Sequence, residues 1–232
     1  MPTKRTSQKK ARGRKPRRRR RNNPRRAILS GFPSQKLVKL RYINSTATLD
    51  AAAGLTSEHV FRANSVFDPD FSGVGHQPMG YDQWAAIYNR YTVLGSKITI
   101  TPSTVTSTSA YDATCLYGIT LSGTSSPLSD YSSIDNILES KLSRGHHIYN
   151  YAVQSGAPKK AIKGFSAKKF FGVKDVQDGA AMSALVSANP SKDAYFSVWQ
   201  ASLDGTNPQP MSVMVQIDYI VLFRQPKNLD GS

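Results

Sequence analysis

The sequence predicts an all-β domain, an eight-stranded antiparallel sandwich of jelly-roll type with short helices in its loops, preceded by a disordered basic arm. Two observations lead to this fold class. About eight segments alternate apolar and polar residues with a period of two, which is typical of strands with one buried face. Loops rich in Gly, Pro, Ser and Thr separate these segments, and only short helical patterns lie between them. Periodicity does not determine strand order, so the topology stays open at this point.

The first predicted strand covers residues 36–49. It places Val38, Leu40 and Tyr42 on one face and Lys39 and Arg41 on the other. Further strands are predicted over residues 59–67, 92–101, 112–122, 145–153, 160–173, 194–201 and 212–224. In the strand over 112–122, the residues predicted to share a face are Cys115, Tyr117, Ile119 and Leu121.

The last predicted strand has apolar residues on both faces. One face carries Val213, Val215, Ile217, Tyr219, Val221 and Phe223. The other face carries Met214, Ile220 and Leu222. We therefore expect this strand to be central in its sheet and covered on both sides.

Helical spacing appears in three places. After Asp82, which can cap a helix, Trp84, Ile87, Tyr88 and Tyr91 fall at i, i+3, i+4 and i+7. A second short helix is predicted over 132–141, with Ile134, Ile137 and Leu138 facing inward. Residues 178–189 are ambiguous, and one interpretation is a helix with Met182, Leu185 and Val186 inward that stops at Asn189-Pro190.

Positive charge is concentrated at the start of the chain. The whole chain has 31 Lys and Arg against 15 Asp and Glu. The first 26 residues contain no acid and fourteen basic residues: Lys4, Arg5, Lys9, Lys10, Arg12, Arg14, Lys15, Arg17, Arg18, Arg19, Arg20, Arg21, Arg25 and Arg26. The remainder has 31 − 14 = 17 basic residues against 15 acidic ones and is nearly neutral. The sequence therefore predicts an arm and hinge over 1–33 and one domain over 34–232.

The arm is predicted to bind nucleic acid. A run of charges can be a solvated tail, but fourteen like charges without an acid favour a polyanionic partner. The arginine guanidinium fits phosphate oxygens, and binding would proceed by counterion release without sequence readout. Contact of every arm charge with single-stranded phosphates would give a log–log salt slope of about −10, an upper bound. Extended, the arm reaches about 85 Å, and its Lys/Arg run also resembles a nuclear-import signal.

Two further basic groups are weaker candidates for phosphate contacts. Lys36, Lys39 and Arg41 follow the arm directly. Six more residues form a lysine-rich stretch interleaved with Phe165, Phe170 and Phe171: Lys159, Lys160, Lys163, Lys168, Lys169 and Lys174. This stretch is either a solvated strand edge with core aromatics or a second phosphate-binding patch with an aromatic ring available for base stacking.

Catalytic and metal-binding patterns are absent from the sequence. The four histidines do not form a metal-binding motif, and no nucleophile or phosphate-loop motif is present, so we expect no enzyme activity, metal or cofactor. Asp68, Asp70 and Asp82 are interpreted as turn and cap residues, with a hard-cation site shared with a neighbouring subunit as the alternative.

Cysteine usage and hydropathy indicate a soluble intracellular protein. The single cysteine, Cys115, excludes an intrachain disulfide and is expected to pack on a strand. The N-terminus lacks the apolar region of a secretory signal. The longest uninterrupted apolar run, Ile220–Phe223, is far too short to cross a membrane.

Residues 59–100 resemble the capsid proteins of circovirus-like, Rep-encoding circular single-stranded DNA viruses. The resemblance rests first on an F-x-x-N-S-x-x-D-P element, here Phe61, Asn64, Ser65, Asp68 and Pro69. A G-H-Q-P loop over 75–78 follows, and then an aromatic-rich segment containing Trp84, Tyr88, Tyr91 and Val93. The segment over 168–173 and the closing strand are similar more weakly.

This resemblance implies a viral jelly roll that self-assembles into a T=1-type icosahedral shell of about sixty copies. It implies basic arms on a circular single-stranded DNA genome inside the shell, and delivery to the host nucleus through a nuclear-import receptor. The matched loop residues would be structural, and the loops over 103–109 and 189–192 would face outward, towards an attachment receptor whose identity stays open. The alternatives are a non-viral or RNA-packaging basic structural protein and, more remotely, an enzyme acting on nucleic acid.

Overall fold

Two antiparallel sheets make up the described part of the chain. The computed structural model describes residues 31–51, 56–104, 115–126, 128, 134–139, 160–177, 179–202 and 210–228. The strands are β1 (Gln35–Leu49), β2 (Thr56–Arg62), β3 (Tyr88–Thr104), β4 (Cys115–Ser122), β5 (Ala161–Ser166), β6 (Ser183–Leu185), β7 (Tyr195–Ser202) and β8 (Met211–Pro226). The helices are α1 (Tyr81–Ile87), α2 (Ile134–Glu139) and α3 (Ala167–Phe171).

Strand pairing follows the jelly-roll scheme. The first sheet has the order β1-β8-β3-β5, with β6 added to β3, and the second has the order β2-β7-β4. The first strand therefore pairs with the last, and the second pairs with the one before the last, as in a long hairpin wound around a barrel-like core. The predicted fold class is confirmed. The predicted strand over 145–153 and the predicted arm lie outside the described residues.

The core lies between the sheets and is built around β8. Its inward side chains from Val213 to Phe223, at every second position, are fully buried. β8 pairs with β1 on one side and with β3 on the other. Tyr219 reaches across to the second sheet, where its hydroxyl donates to the carbonyl oxygen of Arg62 at 2.8 Å. Burying one large apolar side chain stabilises a fold by about 1.5–3 kcal/mol. The buried face of β8 therefore contributes a large share of the hydrophobic stabilisation of the domain.

The outer face of β8 is a correction to the sequence-based expectation. Leu222 is buried as expected, but Met214 and Ile220 are 43% and 39% exposed. The central position of β8 in its sheet is confirmed. Its outer face, however, is buried only near its C-terminal end, at Leu222. A different strand is buried on both faces. In β4, Tyr117 and Ile119 face the main core, while Leu116 packs on Trp199 and on α2.

Helix α1 is shorter than predicted and is capped differently. Gly80, with φ of 84°, precedes it, and Asp82 lies in the first turn without capping it. At Tyr88 the backbone is extended, so Tyr88 and Tyr91 belong to β3. The helical spacing of the aromatic residues therefore arises from a short helix followed by a strand, both of which pack on the same core.

Two other strands and one helix differ from the sequence-based predictions. The strand predicted over 59–67 ends at Arg62, and the strand predicted over 160–173 divides into β5 and the one-turn helix α3. The helix considered over 178–189 is wrong, because the described residues there form a turn and the short strand β6. No helix among the described residues is long and apolar enough to cross a membrane.

Phe223 is expected to be among the most sensitive positions of the domain. Its buried ring lies 5.9 Å from the Trp84 ring in a stacked arrangement and 6.0 Å from the Tyr88 ring. Phe223→Ala should lower the free energy of unfolding by about 3–5 kcal/mol, measured in urea. Met214→Ala, on the exposed face of the same strand, is the control and should change it by about 0.5 kcal/mol or less. Equal effects of the two substitutions would contradict the assignment of faces.

Candidate nucleic-acid and assembly surfaces

The fourteen basic residues of the arm, from Lys4 to Arg26, lie outside the described residues. Their predicted contacts with nucleic acid therefore stay a prediction. Gly31, Phe32 and Pro33 are described, and the hydroxyl of Tyr88 donates to the carbonyl oxygen of Pro33 at 3.0 Å. This bond holds Pro33, two residues before β1, beside the first residue of β3.

The basic residues that follow the arm do not form one face. Lys39 and Arg41 project from the outer face of the first sheet, whereas Lys36 is opposite Phe223 on the other side of the strand. Arg41 is also engaged, because its Nε donates to Asp218 Oδ1 at 2.6 Å. Partial burial would raise the pKa of Asp218, but the bond from Arg41 and a bond from the Gln216 amide lower it below its ordinary value.

The lysine-rich stretch is divided among several environments. Lys159 lies outside the described residues, while Lys160, Lys168, Lys169 and Lys174 are exposed. Lys163 is opposite Ile98 on the inner side of β5, and its partial burial lowers its pKa. The structure therefore does not bring these lysines onto a single face.

The aromatic residues of the same stretch pack on one another. Phe165 is buried, and its ring lies 5.6 Å from that of Phe170 and 6.0 Å from that of Phe171. Phe170 and Phe171 are half-buried against the main core. These rings are core residues, which favours the solvated-edge interpretation of the stretch over base stacking.

Exposed apolar side chains share the outer face of the first sheet. Six of them lie there: Leu37, Ile43, Ile162, Leu185, Met214 and Ile220. Cross-strand register places Ile43 beside Gln216, Gln216 beside Thr99, and Thr99 beside Ile162. A parallel row contains Arg41, Asp218 and Lys97. This mixture of apolar and charged groups is typical of a surface that packs against a partner.

The loop between β2 and α1, residues 63–80, is fastened to residues 186–194, which we call the β6–β7 segment. The Asn64 amide donates to the carbonyl oxygen of Lys192 at 2.8 Å and accepts from the backbone N–H of Ala194 at 2.9 Å. The Ser65 hydroxyl donates to Asn189 Oδ1 at 2.6 Å and lies 2.9 Å from the Tyr91 hydroxyl. The residues of the F-x-x-N-S element thus join two segments that are far apart in sequence.

Tyrosine hydroxyls complete the fastening of the β6–β7 segment. The Tyr91 hydroxyl donates to the carbonyl oxygen of Ala188 at 3.0 Å, and the Tyr81 hydroxyl donates to that of Val186 at 2.7 Å. Burial raises the pKa of both tyrosines well above the ordinary value, so both stay protonated donors at neutral pH. Through these hydrogen bonds, Asn64, Ser65 and Tyr91 of the matched residues help to hold the two segments together.

Asp70 organises the other end of the same loop. Its Oδ1 accepts from the Ser72 hydroxyl at 2.7 Å, while Oδ2 lies 3.0 Å from His59 Nε2 and 3.1 Å from the Asn44 amide nitrogen. Burial alone would raise the pKa of Asp70, but the bonds from Ser72 and His59 lower it below its ordinary value. The ionised carboxylate therefore stabilises the fold above the ordinary carboxyl range, and this contribution is lost as pH falls through the lowered pKa.

The G-H-Q-P loop packs directly on this carboxylate. A Cβ at Gly75 would lie 2.6 Å from the Cβ of Asp70, so no larger residue fits without displacement. His76 Nε2 lies 2.8 Å from the carbonyl oxygen of Ile43, and its ring lies 4.8 Å from that of Tyr42. The Gln77 amide donates to the carbonyl oxygen of Phe67 at 3.0 Å. At the tip of the loop, Val74 and Met79 are 88% and 91% exposed, which makes the tip a second candidate assembly surface.

The three carboxylates considered for a cation lie in different surroundings. Asp68 Oδ2 lies 2.6 Å from Arg62 Nη1, Asp70 is held as described above, and Asp82 lies on α1. No group of three or more His, Cys, Asp or Glu side chains within the described ranges is arranged to hold a metal ion. The Cys115 side chain lies outside the description.

Sequence reasoning missed the hydrogen-bond partners of Asn64 and Ser65. Asn64 and Ser65 were identified from the motif, but their partners on the β6–β7 segment lie more than a hundred residues away. The polar run Asn189–Lys192, which the sequence suggested as an outward-facing loop, was the available signal. Its connection to Asn64 depends on the register of β2 with β7, which periodicity alone does not provide.

Asn64→Ala should uncouple the two segments. The substitution leaves the carbonyl oxygen of Lys192 and the N–H of Ala194 without their partner, at a cost of about 2–4 kcal/mol. We expect this loss in urea unfolding, together with faster hydrogen exchange at the Ala194 amide. Ser191→Ala, at an exposed position of the same segment, is the control and should cost about 0.5 kcal/mol or less. Unchanged exchange at Ala194 in Asn64→Ala would show that the amide does not join the segments.

Neither a protein-family model nor a curated protein matches the sequence. Solved structures similar in fold include the semi-empty VLP of the nodavirus of the giant freshwater prawn Macrobrachium rosenbergii, with a TM-score of 0.49 at 10% identity over 90% of this chain and 92% of that one. Mud crab tombus-like virus gives a TM-score of 0.46 at 11% identity over 88% and 96% of the two chains.

The decameric BFDV capsid protein gives a TM-score of 0.38 at 11% identity over 82% of this chain and 99% of that one. The identities are near 10% and the TM-scores lie below 0.5. These similarities therefore assign no function, which has to be inferred from the residues of the chain itself.

Proposed function

We propose that this chain is a viral capsid protein that self-assembles into a small icosahedral shell, of T=1 type with about sixty copies. Its basic arm, residues 1–26, packages a circular single-stranded DNA genome on the inside of the shell. The observation that carries the proposal is the segregation of charge, with fourteen basic residues and no acid in the arm against 17 basic and 15 acidic residues in the rest.

Segregated charge favours packaging over sequence recognition. A protein that reads bases presents its basic and polar groups on a folded surface that enters a groove. Here the domain is nearly neutral, and the charge precedes it on a segment that can follow a polyanion by counterion release. About sixty arms with fourteen charges each would neutralise on the order of 800 phosphates, which suits a small genome.

The domain offers material for a shell wall. The outer face of the first sheet exposes Leu37, Ile43, Ile162, Met214 and Ile220, and the tip of the β2–α1 loop exposes Val74 and Met79. Apolar surfaces of this kind are buried when copies of a chain pack together, and closed symmetry turns repeated weak contacts into a shell.

The finer assignment to circovirus-like viruses rests on the resemblance of residues 59–100 and on the arm. The Lys/Arg run of the arm would also be recognised by a host nuclear-import receptor, which would place the protein in the host nucleus during assembly and in the virion afterwards. Lys36, Lys39, Arg41 and the exposed Lys160, Lys168 and Lys169 are secondary candidates for phosphate contacts. No catalytic step and no cofactor form part of this proposal.

Deleting Met1–Arg26 should separate shell assembly from the packaging of nucleic acid. The shortened chain should still form particles, because the proposed wall contacts lie in the domain, but these particles should lack nucleic acid. The ratio of absorbance at 260 and 280 nm should fall to that of protein alone. Replacing Arg17–Arg21 with lysine preserves charge and should retain nucleic acid, whereas replacing them with glutamine should reduce it. An unchanged ratio after deletion of the arm would contradict the proposal.

The nature of the nucleic acid distinguishes the proposal from its alternative. Counterion release does not discriminate between sugars, so an RNA-packaging structural protein would share the arm chemistry. Nucleic acid extracted from full-length particles should be digested by a single-strand-specific DNase and resist RNase. Sensitivity to RNase alone would favour the alternative.

A further inference from the structure

A pocket of about 320 Å³ lies at one end of the first sheet. It is lined by Arg90 of β3, Arg224 and Gln225 of β8, Ser183 of β6, and Gln177 and Ala180. Its volume is at the lower end of the range for small-ligand pockets. The described lining residues include two arginines and no carboxylate.

Two arginines on neighbouring strands line this pocket. Arg90 and Arg224 are direct cross-strand neighbours in the β3–β8 pairing, and both are half-buried. Like charges placed directly opposite each other on a sheet repel. Neither arginine forms an ion pair with any described residue. An anion between them would remove this repulsion, and nothing in the described residues supplies one.

Neutral partners hold both side chains in place and leave donors available. Arg90 donates from Nε to the Ser183 hydroxyl at 3.3 Å and from Nη2 to the Ser183 carbonyl oxygen at 3.0 Å. Arg224 donates from Nη1 to the carbonyl oxygen of Gln177. A guanidinium has five N–H donors, so each arginine keeps donors for a further acceptor. Planar forks of this kind match the oxygens of a phosphate group.

The backbone beside Arg224 has an unusual conformation. Gln225 has φ of 57° and is the only non-glycine residue with positive φ among the described ranges. Residues held in this region cluster at binding sites, where the surrounding structure maintains them. Gln225 lies between the Arg90–Arg224 and Tyr88–Pro226 pairs of β3 and β8, and it lines the pocket.

The pocket lies close to the first residue of β1. Gln35, the first residue of β1, pairs with Arg224, and the Tyr88 hydroxyl holds Pro33 nearby. Gln35 lies nine positions after the last arm arginine, Arg26, a span of about 30 Å when extended. A strand of nucleic acid held by the arm is thus within reach of the pocket.

We propose that Arg90 and Arg224 bind a backbone phosphate of the packaged nucleic acid, as a fixed anchor on the folded domain. This inference rests on the proposed packaging function and adds a folded contact to it. Because only the phosphate is recognised, the contact is independent of base sequence. Inorganic phosphate shares this chemistry, and the experiment separates the two sources.

Arginine modification with phenylglyoxal tests the site in the full-length protein. The reagent is applied with and without oligothymidylate of twelve nucleotides, and modified peptides are quantified by mass spectrometry. Arg90 and Arg224 should react in the free protein and be protected by the oligonucleotide at least threefold. At an equal concentration of phosphate groups, inorganic phosphate should protect them less. Stronger protection by inorganic phosphate than by the oligonucleotide would overturn the assignment to nucleic acid.

Modification of the arm peptides in the same samples distinguishes an error in the proposed anchor from an error in the proposed packaging function. Protection of Arg17–Arg21 without protection of Arg90 and Arg224 would overturn the anchor and leave packaging intact. Protection of neither group would contradict both proposals.

Affinity measurements decide the case in which the pocket is closed to phenylglyoxal. The double variant Arg90→Gln/Arg224→Gln should bind the oligonucleotide about tenfold more weakly at low salt, with a log–log salt slope smaller by about 0.7. Lys97→Gln/Lys192→Gln removes two exposed charges outside the pocket and should change affinity less than twofold. Equal effects of the two double variants, at unchanged thermal stability, would overturn the inference.

Discussion

The burial of one face of β8 is the constraint on which the sandwich depends. Its six inward side chains from Val213 to Phe223 are fully buried, and the strand lies between β1 and β3. A register slip of one residue would turn this face outward, so the pairing is strongly specified. Tyr219 connects the strand to the second sheet, and Phe223 supports the aromatic residues of α1. Because β1 pairs with no other described strand, the first sheet is complete only when the last strand is in place.

Strand periodicity predicted most of the fold because burial follows alternation. β1, β7 and β8 lie within about two residues of their predicted bounds, since each has one face on the core. The same reasoning misassigned Tyr88 and Tyr91 to a helix. Their spacing from Trp84 reflects contact with a common core, which a helix followed by a strand also provides. Around Met182 the apolar spacing suggested a helix, but the residues form a turn and the short strand β6.

The candidate sites could be predicted less well because they depend on register. The motif identified Asn64 and Ser65, but their partners were visible only once β2 was paired with β7. The juxtaposition of Arg90 and Arg224 likewise follows from the β3–β8 pairing, between residues more than a hundred positions apart. The charge of the arm, in contrast, is a property of composition, and the sequence alone was sufficient to identify it.

The proposed function follows from a division of labour between two parts of the chain. The arm carries the charge that attracts a polyanion, and the nearly neutral domain exposes apolar groups that can join copies of itself. Negative-stain electron microscopy of the purified full-length protein, across a range of salt concentrations, tests this account most directly. If the chain forms a shell, closed particles of uniform diameter should appear under at least one condition. Only monomers or small oligomers under every condition would contradict it.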